Sequence, residues 1–307
     1  MGIQHLKGSL VGMAIVFAQA ASPVLASTSA VMTEDASLPN HTIYHPADLS
    51  TRAARSLPVV VWGNGACGNA GNAFEGYLKH IAEAGFVVIA NGPIAEVQGS
   101  RPPRPGAPTP SETPSPARHP AMPSTPEQMI EAIDWSVAPT RGGDLAKAID
   151  PRRIAVAGQS CGGLQALVTA ADPRVKTAVI MNSGVIWDFV AQPGKPKPDV
   201  AVGLPMPDLG KLHTPTIYII GGPTDIAYAN ANKDFDAIAG VPLMLANTDT
   251  GHNGTYWDAD GGRFAETAAQ WLLWQLKSDR AAARNFVGAK CRLCTSPEWT
   301  IRKKNLR

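Results

Sequence analysis

Six short apolar runs recur along the chain: LPVVVWG (Leu57 to Gly63), FVVIANG (Phe86 to Gly92), RIAVAG (Arg153 to Gly158), VKTAVIMN (Val175 to Asn182), TPTIYIIGG (Thr214 to Gly222) and VPLMLANT (Val241 to Thr248). None alternates polar with apolar residues, so each reads as a strand buried on both faces rather than a half-exposed one. Strands of that kind lie side by side in parallel only if longer segments, usually helices, cross over between them. The intervening sequence supplies such helices. Phe74, Leu78 and Ile81 share one helical face, and Gly85 stops it. Thr125, Pro126 and Gln128 form an N-cap, a first-turn proline and a capping-box partner ahead of Met129, Ile130, Ile133 and Val137. A last helix carries Phe264, Ala268, Trp271 and Leu272. The predicted class is α/β, with a mostly parallel central sheet and helices on both faces. It occupies residues 57–280, with first strands in 27–56 and a tail in 281–307.

Composition narrows the partners. The 27 basic and 25 acidic residues nearly cancel, leaving no global field to draw nucleic acid. Lys7, the apolar run Leu10 to Ala21, and Val24 and Ala26 before a cleavage point read as a signal peptide over residues 1–26. The alternative for that run is a buried strand or helix. No later stretch approaches the ~20 apolar residues of a membrane span, so the expected location is secreted or periplasmic. Residues 101–126 hold ten prolines, which removes the amide donors that a sheet or helix needs. They read as a surface loop, and residues 187–213 as a loop or small cap over the sheet.

The strand RIAVAG runs into GQSCG, where Gly158, Ser160 and Gly162 match the G-x-S-x-G nucleophile elbow in its strand-turn-helix setting. The bland alternative is a tight packing corner. A serine hydroxyl needs a base, and the base needs an orienting acid; on this architecture they follow in the order Ser, Asp or Glu, His. Only His213 and His252 come after Ser160. His213 precedes its strand, at the far edge of a parallel sheet, whereas His252 follows the last strand on the same edge as Ser160. For the acid, Asp225 in GGPTDIAY is preferred to Asp188, and Asp249 lies close to His252 in sequence. Charge developing on a substrate oxygen needs donors. The backbone amide of Cys161 is one candidate, and Asn64 in the glycine-flanked WGNGACGN loop is the other.

With elbow, acid loop and histidine loop in this order, the chain resembles the α/β-hydrolase superfamily over roughly residues 57–276. It is similar to secreted esterases, the dienelactone-hydrolase-like group and the lipase and polyester-hydrolase branch. The resemblance implies a Ser160, Asp225, His252 triad that hydrolyses a small or polymeric carboxylic ester through an acyl-enzyme, with no metal or organic cofactor. Trp62 stands where many relatives carry histidine, and Cys161 where other residues are usual. The same triad serves amidases and peptidases, and a hydrolase scaffold can also be a non-catalytic binding protein. Trp187, Tyr256 and Trp257 are candidate substrate-binding aromatics, with core packing as their alternative.

The fold so implied makes the strands before Cys67 and Cys161 neighbours, so a Cys67–Cys161 disulfide is expected to clamp the two oxyanion sources together. Two free buried thiols are the alternative. Cys291 and Cys294 lack the further ligands a zinc site needs, and read as a local disulfide. The basic end IRKKNLR reads as solvated.

Overall fold

The computed structural model describes residues 29–95, 123–138, 143–187 and 206–306, together with Gly2. The apolar N-terminal run, most of the proline-rich stretch, and residues 188–205 with Asp188 lie outside the described residues.

In chain order the elements are β1 (Ala30–Thr33), β2 (His41–Pro46), β3 (Leu57–Gly63), α1 (Glu75–Glu83), β4 (Val87–Asn91), α2 (Pro126–Val137), α3 (Gly143–Ala148) and β5 (Ile149–Gln159). They continue with α4 (Cys161–Thr169), β6 (Val175–Met181), β7 (Thr216–Ile220), α5 (Tyr228–Ala237), β8 (Leu243–Asn247), α6 (Gly262–Lys277), α7 (Arg280–Ala283), α8 (Arg292–Thr295) and β9 (Thr300–Lys304). The chain is an α/β protein, and among the described residues its sheet has nine strands in the order β1-β2-β4-β3-β5-β6-β7-β8-β9. From β4 through β8 all neighbours are parallel, and β1, β2 and β9 pair antiparallel at the two edges.

All six apolar runs are core strands of this sheet. Their side chains divide by the period of two that a strand imposes. Val59 and Val61 enter a cluster with Met129 and Ile133 of α2 and Leu167 of α4, while Val60 and Trp62 face Leu78 of α1 and Trp271 of α6. The α2 entry is built as its residues predict, for the Gln128 side chain accepts the Thr125 backbone N–H at 3.0 Å. Two departures concern lengths and edges. β5 begins at Ile149, four residues before the predicted run, because Leu57 and Ile149 already pair. The basic C-terminal stretch is an edge strand rather than a solvated tail: Thr300 to Lys304 pair with Asn247 to Leu243. Arg302 meets Asp236, and both Arg302 and Lys304 lie over the Phe235 ring. Their stems thus cover apolar surface that would otherwise face water. Among the described residues no helix is long and apolar enough to cross a membrane.

Strand order decides where a site can form. From β3 the chain goes to β4 on one side, and then to β5 on the other. The crossovers therefore diverge above the carboxyl ends of β3 and β5, which leaves a crevice there.

Further along the sheet, a buried carboxyl joins α5 to β7 and to the exit of β6. Asp234 on α5 accepts the Trp187 indole N–H at 2.8 Å, the Val185 amide at 2.9 Å and the Tyr218 hydroxyl at 3.0 Å. Burial pushes its carboxyl up to about 6, and these three donors offset only part of that rise. The folded state therefore holds the proton more tightly than the unfolded chain. Stability from this group is fullest at pH values below the ordinary aspartate pKa of about 4, and declines as pH rises through 6. Between those limits the change is about 3 kcal/mol. Comparing wild type with Asp234→Asn by denaturant unfolding at pH 4 and pH 7 cancels the other carboxylates. The difference should shift towards wild type at the lower pH, and a pH-independent difference would refute the assignment.

Candidate active site

Each chemistry-bearing residue sits just past the carboxyl end of a strand. Ser160 follows β5 directly and caps α4 with φ 54° and ψ −120°, a strained conformation for a residue with a side chain. The glycines around it are needed for contact. A Cβ on Gly162 would lie 1.9 Å from the Gly63 carbonyl oxygen, and one on Gly158 would lie 2.2 Å from the Gly162 carbonyl oxygen. Only glycine lets the elbow press onto the end of β3.

The loops after β5, β7 and β8 converge. His252 Nε2 lies 3.0 Å from Ser160 Oγ, and its Nδ1 lies 2.7 Å from Asp225 Oδ1. The histidine loop is held by Gly251 N–H donating to the Gly221 carbonyl at 2.7 Å, and by Gln159 Nε2 donating to the His252 carbonyl at 3.3 Å. Asp249 is exposed and His213 is exposed at the far edge. Neither joins the group.

Asp225 is almost fully buried, at 3% exposure, and every partner of its carboxylate is a donor. Oδ1 accepts His252 Nδ1–H and the Ala227 amide at 2.9 Å, and Oδ2 accepts Asn182 Nδ2–H at 2.7 Å and the Gly221 amide at 3.0 Å. Burial by itself would raise this carboxyl. The four hydrogen bonds outweigh it and hold the group below the usual aspartate value. It is an ionised acceptor at neutral pH.

Asn182 is the part of this group that sequence reasoning missed. It ends the β6 run at φ 43°, sends Nδ2 to Asp225 and to the Gly251 carbonyl, and accepts the Tyr256 hydroxyl at 2.5 Å on Oδ1. Its place at the end of a buried strand, on the same edge as the elbow, is a signal available in the sequence. The partner it meets is not.

Several candidate residues stand elsewhere than expected. Asn64 is 1% exposed and its amide is consumed inside the loop. Oδ1 accepts the Trp62 indole N–H at 2.9 Å, and Nδ2 reaches the carbonyls of Asn91, Ala70 and Gly68 at 2.8, 3.1 and 3.2 Å. It is a brace. The residue of this loop that lines the cavity with Ser160 is Ala66, at φ 53° in the short turn Gly65–Cys67. The three aromatics line no part of the cavity at Ser160. Tyr256 is 1% exposed behind Asn182; Trp257 packs on Phe74 and Tyr256; and Trp187 is turned to Asp234. Each is drawn away by a packing or hydrogen-bond partner from a different element, which no local pattern reveals.

Cys67 and Cys161 are disulfide-bonded across a sequence separation of 94, and Cys291 with Cys294 across 3. The first bond fastens the turn bearing Ala66 to the residue after Ser160. Closing so long a loop removes unfolded-state entropy of about 4 kcal/mol. The double substitution Cys67→Ala, Cys161→Ala should lower unfolding stability by that order in denaturant titrations. A loss below about 1 kcal/mol would mean that the clamp does not constrain the chain.

The cavity at this edge holds about 270 Å³ and is lined by Ala66, Ser160, Cys161, Leu164, Asn182, Ser183, Gly184, Ile186, Ile226, Ala227, Asn230 and His252. No family model matches the chain, and no curated protein matches it. What the arrangement can do is therefore read from its chemistry alone. A hydroxyl, an imidazole and a buried carboxylate lie in one hydrogen-bonded line, opening into a mostly apolar recess. Such a line lets the imidazole take a proton from the hydroxyl while the carboxylate holds the ring and stabilises its charged form.

Proposed function

We propose that the protein is a serine hydrolase of the α/β-hydrolase fold that cleaves carboxylic esters through an acyl-enzyme intermediate. The observation that carries this reading is the continuous line from Ser160 Oγ to His252 to Asp225, at 3.0 and 2.7 Å. The parallel sheet order, the positive φ at Ser160 and the site's position at the strand ends agree with it.

In this mechanism Ser160 Oγ attacks the ester carbonyl carbon as its proton passes to His252 Nε2. The carbonyl oxygen becomes an oxyanion. The backbone amides of Cys161 and Ala66 are the donors assigned to it: Cys161 opens α4, where a first-turn amide has no acceptor within its own helix, and Ala66 lines the cavity at Ser160. The alcohol departs with the proton from His252. Water then gives a proton to His252 and attacks the acyl carbon, and collapse returns the proton to Ser160 and frees the acid. Asp225 stays ionised throughout, with Asn182 and two backbone amides holding it. No metal or organic cofactor enters these steps. The two disulfides fit export to an oxidising compartment.

A fluorophosphonate probe tests the reading. The folded protein should be labelled once, at Ser160 by peptide mapping, and should hydrolyse nitrophenyl esters faster than matched anilides. Faster anilide cleavage would reassign it as an amidase. A folded protein that neither labels nor turns over either substrate is the result expected of a non-catalytic binding protein.

A further inference from the structure

The cavity beside Ser160 has a division of labour that bears on its substrate. Its apolar wall is Leu164, Ile186, Ala227 and Ile226, and Ile226 is 77% exposed at the mouth. Among the described residues that line it, His252 carries the one ionisable side chain. A carboxylate or ammonium group entering it would lose water without gaining a fixed opposite charge, which is unfavourable. A volume of about 270 Å³ accommodates on the order of nine heavy atoms, at the ~30 Å³ each that a water molecule takes in the liquid. The enclosed part of the substrate is therefore short and uncharged.

Polar side chains on the wall are mostly committed already. Asn182 is bound to Asp225, Gly251 and Tyr256, and Ser183 Oγ donates to the Ser160 carbonyl at 2.7 Å. Asn230 differs. It sits in the first turn of α5, half-buried, and its amide makes no hydrogen bond to any described residue. Two residues on, Asn232 spends its amide on the Tyr228 carbonyl and on Arg302. The close approach of the β6 exit loop keeps Asn230 at the cavity, for a Cβ on Gly184 would lie 2.9 Å from the Asn230 carbonyl carbon. An amide both donates and accepts, so it suits a hydroxyl or a carbonyl group.

We infer, building on the ester-hydrolase reading, that the cavity selects uncharged esters whose enclosed portion carries a hydroxyl or carbonyl group, and that Asn230 recognises that group. Substrates lacking it leave the amide without a partner once water is expelled, which is how a polar site discriminates. The oxygen-bearing group belongs either to the acyl or to the alcohol side, and matched pairs distinguish them.

The experiment compares 3-hydroxybutyrate with butyrate esters of one alcohol, and 2-hydroxyethyl with ethyl butyrate. A succinate monoester serves as the charged control. Wild type should favour the hydroxylated member of one pair by about tenfold in kcat/KM, the worth of one ordinary hydrogen bond. That ratio should fall towards one in both Asn230→Leu and Asn230→Ala, whatever their absolute rates. The succinate monoester should be at least about tenfold poorer than butyrate. No preference in wild type, or a preference that both variants keep, overturns the inference. If Ser160 still reacts with fluorophosphonate in that case, the hydrolase reading survives without it. If Ser160 is unreactive and no ester is turned over, both fall.

Discussion

Replacing Ser160 by alanine should lower kcat/KM for the best ester by about a millionfold, with the fold left intact. The size follows from the group removed. Oγ is the atom that would bond to the acyl carbon, and without it the remaining donors act only on direct attack by water. Little structural cost accompanies the loss. Among the described residues the Ser160 side chain bonds only to His252 Nε2, and the turn is held by the Ser160 carbonyl and amide, through Ser183 Oγ and the Met181 carbonyl, which alanine keeps. Alanine at φ 54° bears much the same backbone strain as serine. The check is to measure steady-state kinetics beside thermal unfolding. A folded Ser160→Ala protein within tenfold of wild type would end the serine-hydrolase reading.

Asp225→Asn should cost about ten-thousandfold in kcat/KM at neutral pH, and some stability as well. All four groups around this carboxylate are donors, from His252, Ala227, Asn182 and Gly221. An asparagine must turn its NH2 towards two of them. If the NH2 takes the Oδ1 position, it faces His252 Nδ1 and forces the proton onto Nε2, so the ring can no longer accept from Ser160. If it takes the Oδ2 position, it confronts the Gly221 amide, which cannot turn away, and Asn182. Either choice leaves buried donors unpaired, at about 1–3 kcal/mol each. In wild type the carboxylate's depressed pKa means that its stabilisation is present above the ordinary aspartate value and is lost as pH falls through the lower folded value. Asp225→Asn should therefore lose most relative to wild type at neutral pH and least in strong acid. Kinetics near wild type at pH 7 would show that Asp225 does not orient the base.

The strands and the glycine-flanked turn at Ser160 were legible because each depends on neighbours within a few residues, and the strand pattern put Asp225 and His252 after later strands on the same edge. Val59, Val60, Val61 and Trp62 can only form a strand covered on both faces, and glycines at 158 and 162 only make sense where backbone meets backbone. The edge strand Thr300–Lys304 was not legible. Its run of three basic residues, Arg302 to Lys304, resembles a solvated tail, and pairing with β8 across more than fifty residues is a long-range event. The same applies to Asn64, Trp187 and Tyr256, whose types suited the site but whose partners did not.

By itself, then, the sequence determined the class of fold and the edge of the sheet on which chemistry can gather, because apolar periodicity and glycine placement are local and strongly constrained. Only the tertiary structure decided which polar groups meet. It made Asn182 the support of Asp225, Asn64 a brace inside its loop, and Ala66 the neighbour of Ser160. Hydrogen-bond partners are chosen by loops arriving from different strands, and a buried polar group must satisfy whatever those loops bring within reach.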